Sequence, residues 1–476
     1  MSGVALFLTL PVLAAVLVYL LRRWPTPSTI LAGLVALALG VLLWRWPNNT
    51  PVVFLGRVVQ VNSPAGLLGE PFVMEPAAQW AIGFLCLVLA AAYLGAWRVS
   101  QGRSFFPFGL ILLALFSSVL MIRPIWLAPV IWAAVLAIAV FVVQAGRRGS
   151  TRGAMRLMWL PVLAIPLFLL AAWYLEQLPL DPENLLPLAR AARLTSWGLL
   201  LMLAPWPLHG PALSLGEDAP PMVAAWLLTA LAVVPVTLLQ AFLVRFAWLQ
   251  GAVLFAELPN VRLAELLIYG GMATALWAGI ACAVQRDLSR LWSYGALFSY
   301  GVILVSIGLG ARSSWGLVWL LLLARSVGLM VSGYGLTVIR QRAASQTDFD
   351  KVRGLGTRLP WASAAFLLGL LSLAGLPLTA GFAGQWALMQ VLGSRDWLQA
   401  VVILAGALGV AIGVMRSLST LLGPLQILLL EREERIMILL AAIGLVAILV
   451  PALRPQVWLN TLNAAVAAFT AVPGGL

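Results

Sequence analysis

Apolar runs of about 18 to 25 residues recur along the whole chain, divided by short stretches of charge, proline and glycine, and runs of that length match the hydrocarbon thickness of a bilayer. A chain crossing lipid must satisfy its own backbone hydrogen bonds, so only helices and closed barrels are open to it. The runs lack the period-two alternation of a barrel strand, and the predicted fold is an all-α polytopic membrane protein. Composition agrees: 62% of the 476 residues are hydrophobic and 9% charged, with mean hydropathy +1.02, which excludes an ordinary soluble domain. No connection is long enough to hold such a domain, so the chain is expected to work within or against the membrane, with lipid as one of its partners.

A net charge of +13 and a pI near 11 would suit a nucleic-acid binder. The arginines, however, are dispersed over short connections: Arg22 and Arg23; Arg98 and Arg103; Arg147, Arg148, Arg152 and Arg156; Arg286 and Arg290; and the run from Arg340 to Arg358. All follow odd-numbered apolar segments, which the positive-inside rule explains and a nucleic-acid surface does not. No nucleic-acid partner is expected; those loops are assigned to the cytoplasm and the N-terminus to the outside. The first run lacks a basic n-region and many spans follow it, so it reads as a first helix and not as a cleaved signal. Cys86 and Cys282 sit singly in apolar runs, without the spacing of a zinc or iron–sulfur site, and read as small buried hydrophobes.

Cut at charges, prolines and glycines, the runs predict helices at 4–21, 28–46, 77–97, 106–122, 125–144, 155–175, 195–213, 221–245, 263–283, 291–310, 314–339, 360–390, 397–421 and 434–453, about fourteen spans. Segment 455–472 could be a further span, a half-helix or an interfacial tail. The 49–76 stretch reads as an outside hairpin or loop leading to Glu75 at a helix start, and 176–194 as the most polar outside loop. Two spans carry breakers: Pro205, Pro207, Gly210 and Pro211 in the seventh, and Gly375, Pro377, Gly381 and Gly384 in the twelfth. Broken helices in corresponding positions are the trace of inverted repeats, because unwound backbone at membrane depth must line protein or a wet cavity. The expected organisation is three N-terminal spans and a loop (1–104), a first five-helix repeat (105–250), an inverted second repeat (260–425) and a C-terminal helix with its tail (426–476).

Three junctions carry recognisable motifs. From Pro207 the chain runs Pro-Leu-His209-Gly-Pro211-Ala-Leu-Ser-Leu-Gly-Glu217-Asp218-Ala-Pro220, with Val223 and Ala225 following in register. From Gln285 it runs Gln-Arg-Asp287-Leu-Ser-Arg290-Leu-Trp-Ser-Tyr294, continuing through Ser299 and Tyr300 to Gly301. From Leu373 it runs Leu-Ala-Gly375-Leu-Pro377-Leu-Thr379-Ala-Gly381-Phe-Ala-Gly384-Gln385. Together these resemble the antiporter-like family, which comprises the large membrane subunits of complex I (NADH:quinone oxidoreductase), of membrane-bound hydrogenases and of multisubunit cation/proton antiporters. The family patterns are P-x-H-x-W-x-P-x-A-x-x-x-A-P, Q-x-D-x-K-R-L-x-A-Y-S-S-I-x-x-x-G and A-G-x-P-P-x-x-G-F-x-G-K; Pro211 stands where the first has an aromatic. The resemblance covers residues 75 to 425 and is nearest the two shorter complex I subunit types, with no room after the last span for a long lateral helix.

The resemblance implies a non-redox subunit of a proton-translocating complex that couples a donor such as NADH to quinone. The subunit would hold no cofactor; quinone and iron–sulfur centres would reside in partner subunits, and its partners would be other hydrophobic subunits in a prokaryotic inner membrane. A structural module without transport, or a subunit of a hydrogenase or cation/proton antiporter, are the alternatives. The family's proton route needs a glutamate–lysine pair and further Lys or His carriers. Those positions are here Ala133, Met202, Val233 and Gln385, and the nearest charge to the family's His/Lys pair is Arg325. An arginine stays charged at any physiological pH and can act only as a fixed cation. Inside an apolar span it is expected to face the protein and bond carbonyls, hydroxyls or water. The proton-path candidates are therefore His209, Asp218, Ser299, Tyr300, Arg325, Thr379 and Gln385. His209 could equally be a helix-end histidine bonded to a carbonyl, with Asp218 helping to start the next helix. Asp287 with Arg286 and Arg290 reads as a hairpin ion pair.

Overall fold

The apolar runs fold as helices because, away from water, each N–H and C=O finds its partner four residues along its own segment. The computed structural model describes residues 2–46, 51–54, 57–60, 63–67, 69–99, 101–102, 104–144, 152–177, 186–245, 263–310, 314–343, 345–424 and 433–470. Its helices are α1 (Gly3–Leu20), α2 (Pro25–Arg45), α3 (Pro76–Ala96), α4 (Phe105–Met121), α5 (Ala128–Gln144), α6 (Arg152–Glu176), α7 (Leu186–Leu203), α8 (Gly210–Asp218) and α9 (Pro221–Arg245). The series continues with α10 (Leu263–Val284), α11 (Leu288–Gly308), α12 (Ser314–Arg342), the short α13 (Phe349–Val352), α14 (Pro360–Leu373), α15 (Phe382–Arg395), α16 (Trp397–Leu421), α17 (Arg435–Leu453) and α18 (Leu459–Thr470). Prolines open α2, α3 and α14, where a missing N–H costs nothing. Asp287 caps α11 by accepting from the Arg290 N–H at 2.9 Å, and Asp396 caps α16 by accepting from the Leu398 N–H at 3.0 Å.

Eleven helices among the described residues are long and apolar enough to cross a membrane, and α4 and α14 are shorter apolar helices. Helices α9 and α11 are buried along nearly their whole length, whereas α6 and α17 turn most of their apolar surface outward. Between them runs α12, which packs against α3, α9, α11, α14, α15, α17 and α18. Small residues set the closest approaches. At Gly279 of α10 an added Cβ would lie 2.3 Å from the carbonyl oxygen of Gly406 in α16, so no side chain fits between those backbones.

The expected outside hairpin is two antiparallel hairpins, β1 (Val52–Phe54) with β2 (Arg57–Val59) and β3 (Ala65–Leu67) with β4 (Glu70–Phe72), in the registers Val52↔Val59 and Ala65↔Phe72. Glu75 stands at the start of α3, where it pairs with Arg123. One expectation needs correction. The seventh span begins at Leu186, not 195, because Leu188, Ala189, Ala191, Ala192, Thr195 and Ser196 are buried while Arg190 and Arg193 face out; an amphipathic turn was read as a polar loop. Span 360–390 is broken where its breakers lie, into α14 and α15, as expected. Of the readings open for segment 455–472, a further full span is excluded for the described residues: it contains a 12-residue helix, α18, which packs on α3 and α12 and, at about 1.5 Å per residue, is too short to cross. Arg103, Arg147, Arg148 and the expected repeat boundary at 250–260 lie outside the described residues.

Candidate functional site

The site grows from the two breaks. Helix α7 ends at Leu203, Ala204 takes the left-handed conformation (φ +44°), and Pro205 and Pro207 bring no N–H, so a helix cannot continue until α8. The groups released are satisfied from neighbouring helices. The Tyr300 hydroxyl of α11 donates to the Leu203 carbonyl at 2.7 Å, and the Trp206 N–H donates to Thr274 Oγ1 of α10 at 2.9 Å. In the second break, Gly375 (φ +68°) and Leu378 (φ +64°) turn the chain between α14 and α15. Thr379 Oγ1 donates to the Leu376 carbonyl at 2.6 Å, and the Gly381 N–H donates to Ser372 Oγ at 3.3 Å. Gly375 is required twice over, by its φ and because a Cβ there would sit 1.8 Å from Gln385 Oε1.

Arg325, on α12, lies between these breaks and is only 4% exposed. Nη1 donates to the Leu228 carbonyl of α9 at 3.0 Å and Nη2 to the Ala296 carbonyl of α11 at 3.5 Å, and the guanidinium carbon stands 5.6 Å from the centre of the Tyr300 ring. It lines two cavities. One, of about 70 Å³, is bounded by Trp132, Met202, Ala204, His209 and Tyr300 together with aliphatic side chains of α5, α7 and α9. The other, of about 10 Å³, is bounded by Ser299, Ser372, Gly381 and Gln385. The first has room for several waters, the second for about one.

Of the residues singled out from the sequence, His209, Tyr300 and Arg325 meet at the larger cavity and Ser299, Gln385 and Arg325 at the smaller. Thr379 holds the turn of the second break, and Asp218 stands at the C-terminal end of α8. The buried Nδ1 of His209 makes no hydrogen bond within the described residues. Arg325 faces the protein and bonds carbonyls, as a buried guanidinium must. Of the positions at which the resemblance would set carriers, Met202 lines the larger cavity and Val233 is fully buried, whereas at α5 the lining residue is Trp132 and its neighbour Ala133 is half-buried.

The Asp287 ion pair is corrected. Asp287 caps α11 and accepts from Thr347 Oγ1 at 2.5 Å, while Arg290 reaches across to Glu217 at 3.2 Å. That links the first two motifs: Arg340 also donates to the Ala219 carbonyl at 3.1 Å and the Glu217 carbonyl at 3.4 Å. Trp132, Ser372 and the Leu228 and Ala296 carbonyls were not anticipated. A carbonyl inside a regular helix leaves no mark in the sequence, and Trp132 looks like any core aromatic.

Residues 217–413 match a family model described as NADH:quinone oxidoreductase/Mrp antiporter, TM. The chain is 27% identical over 200 residues to NADH-quinone oxidoreductase subunit N of Rhodococcus opacus, covering 41% of this chain and 35% of that protein. The matched segments span between about a third and just under half the length of such curated relatives. The fold is shared more widely. A chain in the structure of the membrane-bound sulfane sulfur reductase, an archaeal respiratory membrane complex, superposes with TM-score 0.76 at 17% identity, covering 98% of this chain and 97% of that one. A chain of respiratory complex I from Thermus thermophilus superposes with TM-score 0.71 at 20% identity, covering 98% and 100%.

Proposed function

We propose, from the premise that this chain is an antiporter-like membrane subunit carrying the NADH:quinone oxidoreductase/Mrp antiporter transmembrane domain, that it serves in the proton-translocating membrane arm of a complex I-type donor:quinone oxidoreductase. It holds no redox centre of its own; quinone and iron–sulfur chemistry belong to partner subunits, and its outward apolar faces pack against hydrophobic neighbours and lipid. The membrane is a prokaryotic inner membrane, the N-terminus lies outside, and two five-helix repeats of inverted topology, about fourteen spans in all, contain the two breaks.

The observation that carries the reading is Arg325 held between two broken helices, with Met202 and Val233 where a lysine carrier would stand. A proton wire needs groups that load and unload near neutral pH, and Met, Val and a permanently charged arginine do neither. Ser299, Tyr300, Thr379 and Gln385 can order water but cannot carry a charge at that pH. His209 can, and it lies where the first break meets the larger cavity, with Asp218 at the far end of the nine-residue helix α8 that follows it. The subunit therefore conducts protons poorly by a lysine–glutamate route, and any residual path begins at His209 and Asp218.

The test is the number of protons moved per electron pair by the reconstituted complex. The unmodified complex should fall below the sum expected if every antiporter-like subunit pumped, and His209→Ala with Asp218→Asn should remove the remainder owed to this chain. A full count that the double variant leaves untouched would sink the His209 entry. Normal pumping by this chain with every other antiporter-like subunit blocked would sink the silenced channel.

A further inference from the structure

A third cavity, an open groove of about 480 Å³, runs between α6 and the first break. It is lined by Met155, Arg156 and Trp159 of α6 and by Pro207, Leu208 and Gly210. A Cβ built at Gly210 would meet nothing within 4 Å, so the space beside that backbone is free. The groove lies on the outer face of the bundle, where Met155 and Trp159 are exposed and Val162 and Leu163, one turn further along α6, are exposed too. Unwound backbone facing outward at membrane depth would ordinarily need polar partners. Here Pro207 brings no N–H and the Leu208 N–H is already bonded to the Pro205 carbonyl at 2.7 Å, so hydrocarbon can lie against both.

The one charge in the lining is Arg156, an exposed residue of the second turn of α6. At ~1.5 Å per residue it stands about 6 Å from the start of that helix, at the depth of lipid headgroups. The far end of α8 is at the same level, because Glu217 is near enough for its charge to feel Arg156 while pairing with Arg290 at 3.2 Å. An apolar groove that ends at a guanidinium in the headgroup layer matches both parts of a phospholipid, the phosphate on the arginine and a chain in the groove. A methylene displaces about as much volume as a water, ~30 Å³, so the groove holds on the order of one acyl chain. Trp159, between the two parts, is the residue type that sits at that boundary. We propose that the groove between α6 and the first break is a binding site for an anionic phospholipid, its phosphate on Arg156 and one acyl chain running past Trp159 toward Pro207 and Leu208. The arginine-rich side of the protein faces the leaflet in which such lipids are enriched. An apolar helix of a neighbouring subunit could cover the same face but would leave the guanidinium without its anion. The proposal does not depend on whether the subunit conducts protons.

The experiment is native mass spectrometry of the purified membrane assembly containing the full chain, stripped of lipid by detergent exchange and then titrated with dioleoyl phosphatidylglycerol. The unmodified assembly should take up one phosphatidylglycerol per chain that the Arg156→Gln assembly binds about fivefold more weakly. Arg156→Lys, which keeps the charge, should recover most of the affinity. Dioleoyl phosphatidylcholine, which carries no net charge, should compete poorly. Dihexanoyl phosphatidylglycerol and inorganic phosphate, which bring the anion without a long chain, should not displace the bound lipid. Arg156 is exposed, so neither substitution disturbs the packing of α6. Equal affinity in the unmodified and Arg156→Gln assemblies, or equal competition by phosphatidylcholine, would overturn the proposal and leave the groove to any lipid or to a neighbouring helix. Displacement by inorganic phosphate would overturn it in favour of a site for a free anion.

Discussion

At the scale of single residues, the chain depends on polar groups whose partners lie on other helices. Arg325 could be picked out because it interrupts an apolar run, and the cost of a guanidinium in lipid dictated that it turn inward. Which carbonyls receive it could not be picked out, since Leu228 and Ala296 lie 97 and 29 residues away. Glu433 shows the same dependence at the membrane edge. Its carboxylate accepts from the Ala362 N–H at 2.8 Å and the Trp361 N–H at 3.3 Å, capping α14 from just outside α17. Burial pushes its carboxyl above the usual value and outweighs those two hydrogen bonds, which pull it down. A carboxyl raised in the folded state contributes stability that is fully present below its unfolded value, about 4.3, and is lost as pH rises through the folded value. As pH rises above about 4.3, the unfolding midpoint of the unmodified protein should therefore fall more steeply than that of Glu433→Gln. Parallel pH curves for the two proteins would refute this role.

At the scale of elements, two rules of backbone chemistry account for most of what is seen. Proline and left-handed residues stop α7 and α14, and the freed groups are bonded by Tyr300, Thr274 and Ser372. The positions of both breaks were legible because prolines and glycines cluster there, whereas the single prolines Pro11, Pro235 and Pro451 sit inside continuous helices. The start of α7 was not, because Arg190 and Arg193 raise the local polarity although they occupy only its outer face. Small residues do the opposite work, removing bulk where α10 meets α16. Gly279→Ala would place a methyl 2.3 Å from the Gly406 carbonyl oxygen, a clash with backbone that no rotamer relieves. It should cost about 1–3 kcal/mol as overpacking and lower the thermal unfolding midpoint of the purified protein. A midpoint equal to that of the unmodified protein would show that the two helices slide apart freely.

At the scale of the whole molecule, the superposition over 98% of the chain at 17–20% identity shows one fold built from largely different side chains. Within that architecture Met202 and Arg325 line the same, larger cavity. On the proposed function, introducing the lysine–glutamate pair that the resemblance implies, as Met202→Lys with Ala133→Glu, should not raise pumping. The new lysine would enter a cavity that already holds a cation, and Ala133 lies one residue, about 100° of helix turn, from the lining position Trp132. Protons per electron pair in the reconstituted complex should stay at the unmodified value. A rise of whole protons would mean that the α5 register differs and that the route needed only its two titratable groups.

What the sequence determined by itself was everything that follows from solvent and local backbone chemistry. Runs long enough to cross lipid had to be helices, prolines and glycines had to break two of them, and a single buried arginine had to find partners. What only the tertiary structure decided was which distant groups meet. It joined Arg290 to Glu217 and not to Asp287, aimed Trp132 and not Ala133 at the cavity, and set Arg325 between two breaks roughly 170 residues apart in the chain. Those outcomes depend on helix rotation and on packing between helices, and a side chain's rotation about its axis is settled by its neighbours, not by its own segment.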